Sequence, residues 1–360
     1  MGAQKRLHMD SSATVSMSFR PFELEPAQFV TPNGESQVMA KRTSKSLMVR
    51  LCARMYMVQG RWTVPLMLPL LRSLAIGRAY GRHLQDITRR YGARNQSHAT
   101  FFLRNRPELE LMRRLLDSKP NGARVDIAIV ACSKGAEVYS IVWKLRSARP
   151  DLQLKVNAID ISREIVDFAG SGVYSMKLPS AAAPGSSDTN DLTWKDQVVG
   201  NRPLSMFERM TSEEINEMFE FGNGQAKVKS WLREGITWQR GDATDPKFAA
   251  ALGAHDIVVA NRFLCHMQPP AAEACLRNIA GLVKASGYLF VSGVDLDVRT
   301  KVACELGWRP VTEMIREVHE GDSSLLQGWP MNYWALEPFC DRTPDWAVRY
   351  ASVFKIGELS

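Results

Sequence analysis

The apolar positions along the chain change their period near Asn121-Gly122. Before that point Leu, Met and Val recur at helical spacing among arginines, as in "SLMVRLCARMY". The spacing predicts a helical region from Lys41 to about Tyr91. A further helix is predicted near Pro107 to Ser118, "PELELMRRLLDS", with acids first and arginines later, as the helix dipole favours. After it, "RVDIAIVA" reads as a largely apolar strand, followed by a turn of small residues and the helix "EVYSIVWKLRSA". Val138, Ile141, Val142 and Leu145 fall on one face of that helix.

The alternation continues. "LQLKVNAIDIS" is a second strand and "REIVDFAGSGVYS" a second helix. Lys177 to Gln197 is rich in Ala, Pro, Ser and Asp and reads as a loop or insert. "LSMFERMTSEEINEMFEF" is predicted helical, and "GITWQRGDATD" is a strand that ends in acids. "HDIVVANRFLCHM" is another strand, "PAAEACLRNIAGLVKASG" a helix with a glycine stop, and "YLFVSGVDLD" a further strand. Strand and helix in turn predict an α/β fold, an open and mostly parallel sheet with helices on both faces. Ligands of such sheets bind at the carboxyl ends of the strands, near the switch point.

Composition adds organisation. The chain has 360 residues, 45% hydrophobic and 23% charged, enough for a full core. Residues 1–40 mix Ser, Thr, Pro and Gly without a period and are expected to be a disordered tail. Residues 41–118 form the basic helical region, and 119–360 the α/β domain with a loop-rich insert at about 175–235. The net charge of +8 is uneven: residues 1–120 hold 20 Lys/Arg against 8 Asp/Glu. A basic front end on a slightly acidic body suits an acidic partner. The six cysteines occur singly, without zinc spacing, so no metal site is expected. Unpaired cysteines and a polar N-terminus point to a reducing cytoplasm. The apolar run Val64 to Gly77 is broken by Pro65, Pro69 and Arg72 and is too short to span a bilayer.

The strand ends carry the candidate chemistry. They offer Glu137 after the first strand, Asp160 at the second, Asp242-Ala243 after the third and Asn261-Arg262 after the fourth. An acid ending the second strand suits a ribose diol, and an acid after the third suits an adenine amino group. The turn is neither G-x-G-x-x-G nor G-x-x-x-x-G-K-[ST]. Glu137 at the mouth of the helix repels phosphate and suits a cation. An adenosine that carries a positive charge instead of phosphates is S-adenosylmethionine (SAM). Taken singly, Asp160 also fits a helix cap, Asp242 a turn and Glu137 a first-turn helix acid.

Taken together, the ordered motifs resemble the chemotaxis-receptor (CheR-type) methyltransferases. Their Ser-Thr-Gly-Glu-Glu-Pro-Tyr-Ser signature is similar to Ser133-Lys134-Gly135-Ala136-Glu137-Val138-Tyr139-Ser140, preceded by Cys132. Their Thr-x-Phe-Phe-Arg is similar to Thr100-Phe101-Phe102-Leu103-Arg104, and further matches run from Ala158 to Ser162, Ala169 to Tyr174, Ile236 to Ala243 and Asp256 to Met267. The resemblance spans roughly residues 95–295. It implies a class I methyltransferase-like (Rossmann-type) domain and a pocket for SAM, with S-adenosylhomocysteine (SAH) as product. The implied pocket holds Thr100, Arg104, Cys132, Gly135, Glu137, Asp160, Asp242, Ala243, Asn261 and Arg262. Arg104 would close over the cofactor carboxylate, with a surface salt bridge beside Arg106 as its plain alternative.

The sequence departs from the family in several places. Its Arg-Asn is transposed to Asn261-Arg262, its acceptor-side Tyr falls on His266, and Lys134 and Ala136 replace Thr and Glu. Its receptor-tethering hairpin falls where this chain reads as loop. His266 is the candidate catalytic residue with Arg104, since neutral histidine accepts a proton that tyrosine does not. His319 is a weaker candidate, with a surface role favoured. Trp308, Trp329, Tyr333 and Trp334 are a candidate aromatic acceptor pocket or a core edge. The family's acceptor is a glutamate carboxylate on an acidic receptor protein. The alternatives are a small-molecule acceptor and a catalytically idle basic binding module, with nucleic acid not favoured as partner.

Overall fold

A computed structural model of the chain describes residue 83 and residues 97–177, 192–193, 197–199, 202–322, 325 and 335–357. All the described residues lie in the unit 52–360. The expected tail 1–40, most of the basic helical region, and Trp329, Tyr333 and Trp334 lie outside the described residues.

Helix α1 (Arg106–Leu115) begins where Asn105 accepts a hydrogen bond from the Glu108 amide, has Pro107 in its first turn and ends on Arg113 and Arg114. These are the start and stop signals of an isolated amphipathic helix. Strands β1 (Arg124–Val130) and β2 (Gln153–Asp160) flank α2 (Ala136–Ala148), and α3 (Arg163–Ser171) follows β2. Strand β3 (Val173–Ser175), a two-residue pair β4 (Val198–Val199) and β5 (Arg202–Pro203), α4 (Ser212–Met218), β6 (Phe219–Gly222) and β7 (Gln225–Val228) come next. The main sheet resumes with β8 (Ile236–Arg240), β9 (His255–Val259) and, after α5 (Pro269–Ala280), β10 (Val283–Phe290). Helix α6 (Leu296–Glu305), β11 (Arg309–Pro310), α7 (Ile315–Glu320), α8 (Trp346–Tyr350) and β12 (Val353–Lys355) complete the fold.

The main sheet has seven strands in the order β11-β12-β10-β9-β1-β2-β8. Neighbours from β8 to β10 run parallel. β12 lies antiparallel to both β10 and β11. The order reverses at β1, with β2 on one side and β9 on the other, so the switch point lies over the β1–α2 turn. Alternate residues of each strand feed two cores, as the strand period of two requires. Ile127, Ile129, Ile257 and Val259 join α1 and α2 in one core. Ala128, Val130, Val258 and Ala260 join α5 and α6 in the other. The sheet is thus covered on both faces, as the alternating pattern predicts.

Three expectations need correction. The stretch 204–221 is helical only over α4. Phe219 is extended, at φ −127° and ψ 151°. From there β6 and β7 form a hairpin that pairs with β3 in a small three-stranded sheet. The hairpin turns through Asn223 and Gly224, at φ 53° and 74°, the left-handed pair that a tight two-residue turn demands. The helical reading followed Ile215, Met218 and Phe219 past the helix end. Over residues 212–233 the insert is therefore built of helix and hairpin rather than loop, while most of the expected loop Lys177 to Gln197 lies outside the described residues. Lastly, α5 stops at Gly281, and the later Gly287 belongs to an irregularity inside β10. A Cβ on Gly287 would lie 2.9 Å from the carbonyl oxygens of Asp256 and Lys284, so crowding rather than a helix stop requires glycine there.

The small sheet packs on the segment that leads into α1. Phe102 is fully buried and meets Phe207, Phe219 and Tyr174 at ring-centroid distances of 5.3, 5.1 and 5.3 Å. Replacing Phe102 by Ala is expected to cost about 3–5 kcal/mol of stability, read as a lowered midpoint in urea unfolding. A cost below about 1 kcal/mol would mean that this aromatic cluster does not anchor the entry to α1.

Candidate functional site

The turn between β1 and α2 is built against backbone preference. Ala131 and Ser133 take φ of 57° and 49°, and Gly135 takes 84°. A Cβ on Gly135 would also sit 3.1 Å from Ala169 and from the Trp238 ring. Non-glycine residues in this region store strain of order 1–3 kcal/mol each, which surrounding structure must hold in place. The holding bonds are visible. Cys132 donates its amide to Ile159 O at 2.9 Å, and the Ser133 amide donates to Asp160 Oδ2 at 2.9 Å. Ser133 Oγ donates to His98 O at 3.1 Å and so ties in the segment with Thr100. The Thr100 amide donates to Gln197 Oε1 at 3.0 Å. Lys134, fully buried, donates from Nζ to Thr193 O at 3.2 Å and is a tether for the insert rather than a cofactor contact.

Asp160 is buried and also accepts from the Ser162 amide at 3.1 Å. The adjacent helix cap is Ser162, whose side chain accepts from Ile165 N. Asp160 is therefore a strand-end acid set by two amides, not the α3 cap. One strand further out, Asp242 is exposed, and its Oδ1 accepts from the amide and hydroxyl of Thr244 at 2.9 and 2.7 Å. Ala243 beside it is buried, and its carbonyl accepts from Asn278 Nδ2 at 3.3 Å. Burial raises the Cys132 thiol well above its ordinary pKa, so Cys132 is a neutral packing residue.

After β9 the chain turns through Arg262 at φ 64°. Gly293 allows this, since a Cβ there would lie 2.5 Å from Arg262 Cα. The transposed Asn261-Arg262 pair then splits in two directions. Asn261 Nδ2 donates to Glu108 Oε1 and Glu137 Oε1, both at 2.8 Å. Its Oδ1 accepts from the amide and hydroxyl of Ser292 at 2.9 and 2.8 Å, which fixes the orientation of the amide. Arg262 instead lies 3.3 Å from Asp322 Oδ2.

Asp322 collects two further arginines. Arg104 Nε donates to Asp322 Oδ2 at 2.8 Å, and Arg209 Nη1 lies 2.8 Å from Oδ1. The Asp322 side chain is only 1% exposed. Arg209 also donates to Arg104 O at 2.9 Å and stacks over Phe101, 4.6 Å from its centroid. Burial and the neighbouring Arg262 lower the Arg104 pKa to about 10. Arg104 is therefore in a buried ion pair, not a surface one, while Arg106 pairs separately with Glu214.

The acids opposite are perturbed the other way. Burial, then the neighbouring Glu137, pushes the Glu108 carboxyl up to about 7. Burial also raises Glu137, against the pull of Asn261, Arg262 and Arg104. Glu108 Oε2 is buried without a hydrogen-bond partner, and Arg262 Nη1 is buried without completing a hydrogen bond. An unmet carboxylate oxygen on Glu108, together with the arginines ion-paired to Asp322, suits a zwitterion such as the amino-acid end of SAM. Glu108, Arg209 and Asp322 were not singled out in the sequence.

The acceptor-side candidates separate. His266 closes the 3-10 turn Leu264–His266, half-buried, one turn beyond Arg262. His319 is not at the surface: it is buried, its Nε2 is 2.8 Å from Glu337 O, and Tyr350 packs against its ring. Burial lowers its pKa to about 4. Trp308 is buried against Phe354 and belongs to the core edge. Among the described residues no cluster of His, Cys, Asp and Glu could hold a metal ion, and no helix is long and apolar enough to cross a membrane.

Residues 98–182 match the family model described as CheR methyltransferase, SAM binding domain. No curated protein matches the chain. Among solved structures, the DszA carbon methyltransferase is similar at 14% identity and a TM-score of 0.29, over 79% of this chain and 47% of that one. An O-methyltransferase family protein from Burkholderia thailandensis is similar at 13% identity and a TM-score of 0.33, over 86% and 71%. The magnesium protoporphyrin IX methyltransferase of Synechocystis PCC 6803, solved with bound SAH, is similar at 14% identity and a TM-score of 0.30, over 57% and 73%. The chain spans about half the length of the first of these. The matched stretch holds Thr100, Arg104, Glu108, Glu137 and Asp160, so this part of the chain is similar to the S-adenosylmethionine-binding domain of the CheR methyltransferases.

Proposed function

We propose that the chain transfers a methyl group from SAM to a carboxylate acceptor, such as a glutamate side chain of an acidic protein. The observation that carries this reading is the buried, unpartnered Glu108 Oε2 together with the arginines gathered on Asp322 at the carboxyl edge of the sheet. Asp160 would hold the ribose, Asp242 and Ala243 the adenine side, Glu137 with Glu108 the ammonium, and Arg104 with Arg262 the carboxylate. Thr100, Cys132 and Gly135 shape the turn beneath. Bound there, SAM supplies an electrophilic methyl group on a positively charged sulfur.

The protein's own part is to orient and to exclude water. With Arg104 and Arg262 given to the cofactor carboxylate, an anionic acceptor is favoured only by charge outside the cofactor site. The basic front end of the sequence suits an acidic partner protein. A carboxylate acceptor is ionised at neutral pH and needs no general base. His266 then orients the acceptor rather than taking its proton. A small-molecule acceptor is the second reading, favoured by the divergent acceptor side, with His266 in place of the family's Tyr, and by the C-terminal segment from Ile315, which does not resemble the family.

Incubation with methyl-labelled SAM and an acidic helical receptor fragment is expected to place label in base-labile protein ester. Label only in small-molecule extracts would contradict the protein acceptor and leave the second reading. His266→Phe is expected to lower kcat by about ten-fold or less, with the same factor from pH 6 to 8. A loss confined to the alkaline side of the histidine range, where the imidazole is neutral, would show a base instead. Glu108 is raised to about 7 in the fold. Its contribution is therefore fully present below the ordinary glutamate pKa and is lost as pH rises through about 7. The ligand-free chain should lose on the order of 1–3 kcal/mol of stability between pH 4.5 and 7 through this group. Glu108→Gln should flatten that slope in thermal melts, and an unchanged slope would show that Glu108 ionises normally.

A further inference from the structure

We infer that Asp322 is a positioning residue for the cofactor: a carboxylate from the C-terminal part of the chain that pre-sets Arg104 and Arg262 to receive the amino-acid carboxylate of SAM. The inference rests on the SAM reading above and adds to it a residue far outside the matched stretch, which ends at residue 182.

Asp322 is placed with little freedom. Asn105, next to Arg104, donates from Nδ2 to Val318 O at 2.9 Å and so clamps α7 to the start of α1. A Cβ on the preceding Gly321 would lie 2.1 Å from Asn105 Oδ1, so only glycine allows the two segments to close this far. The carboxylate then divides its oxygens. Oδ2 takes Arg104 Nε at 2.8 Å and Arg262 Nη1 at 3.3 Å, and Oδ1 takes Arg209 Nη1 at 2.8 Å. Arg104 is engaged through Nε, which leaves the two terminal nitrogens of its fork outside that bond. Phe101 lies under both Arg104 and Arg209, at 5.7 and 4.6 Å, which limits their rotamers. Without an internal acid, three neighbouring guanidiniums would repel one another and splay apart. With it, they are held at one fixed spacing while keeping an excess of positive charge.

Calorimetric titration of Asp322→Asn and Asp322→Glu with SAH and with decarboxylated SAH tests this, alongside the unaltered chain. Asn removes the charge, and Glu keeps it but moves it. Both variants are expected to lose at least about ten-fold in affinity for SAH, while decarboxylated SAH binds them as it binds the unaltered chain. A parallel loss for both ligands marks general damage and overturns the inference, as does SAH binding that is unchanged or tighter. Hydrogen exchange on the unaltered chain decides the matter if neither variant folds. SAH should slow exchange in residues 315–322 and decarboxylated SAH should not, and equal effects of the two ligands overturn the inference. No SAH binding to the unaltered chain would instead sink the cofactor reading itself.

Discussion

The structure turns on buried charge that is compensated across distant segments. At the carboxyl edge of the sheet, Asn261 bridges two acids, Glu108 and Glu137, through a single amide nitrogen. Beside them, Asp322 gathers Arg104, Arg209 and Arg262. Each cluster taken alone would be costly, because buried like charges repel and lose their hydration. Side by side they offset one another, and the raised carboxyls and lowered Arg104 record what is still uncompensated. A zwitterionic ligand completes such a site on both sides at once. A phosphate in the same place would meet Glu137 at the mouth of α2, and like charges there repel.

Strain and packing serve this arrangement. The left-handed residues Leu103, Ala131, Ser133 and Arg262 all lie in segments that enter or leave the site. Leu103 donates its amide to Ser140 Oγ at 2.9 Å, and that bond fixes the residue before Arg104 against α2. The aromatic cluster around Phe102 anchors the same segment on the small sheet. The small sheet, α1 and the C-terminal part of the chain therefore all bear on the placement of one arginine, and the parallel sheet supplies the rigid edge they meet.

Much of this was legible in the sequence. The strands and helices around β1, β2 and β9 followed from their periods. Glu137, Asp160 and Asn261 stood out because each ends a strand or opens a helix at a position where the fold places ligands. The transposed Asn261-Arg262 pair read as a weakness, yet the left-handed Arg262 gives each of its members a separate partner. Glu108 was hidden because a first-turn glutamate has an ordinary role in any helix. Asp322 and Arg209 were hidden because their partners lie up to 218 residues away and share no motif with them. The β6–β7 hairpin did carry a local signal, Asn223-Gly224, that the helical spacing before it masked. His319 sits among charges in sequence, and Glu337, Phe339 and Tyr350, far along the chain, pack against it.

Whether this edge of the sheet holds SAM by its amino-acid end and its ribose is open to direct test. A crystal structure of the chain with SAH tests it most directly. The ribose hydroxyls are expected within hydrogen-bond reach of Asp160, the ammonium between Glu108 and Glu137, and the carboxylate against Arg104 and Arg262. A ligand lying elsewhere, or one whose carboxylate points away from both arginines, would contradict it.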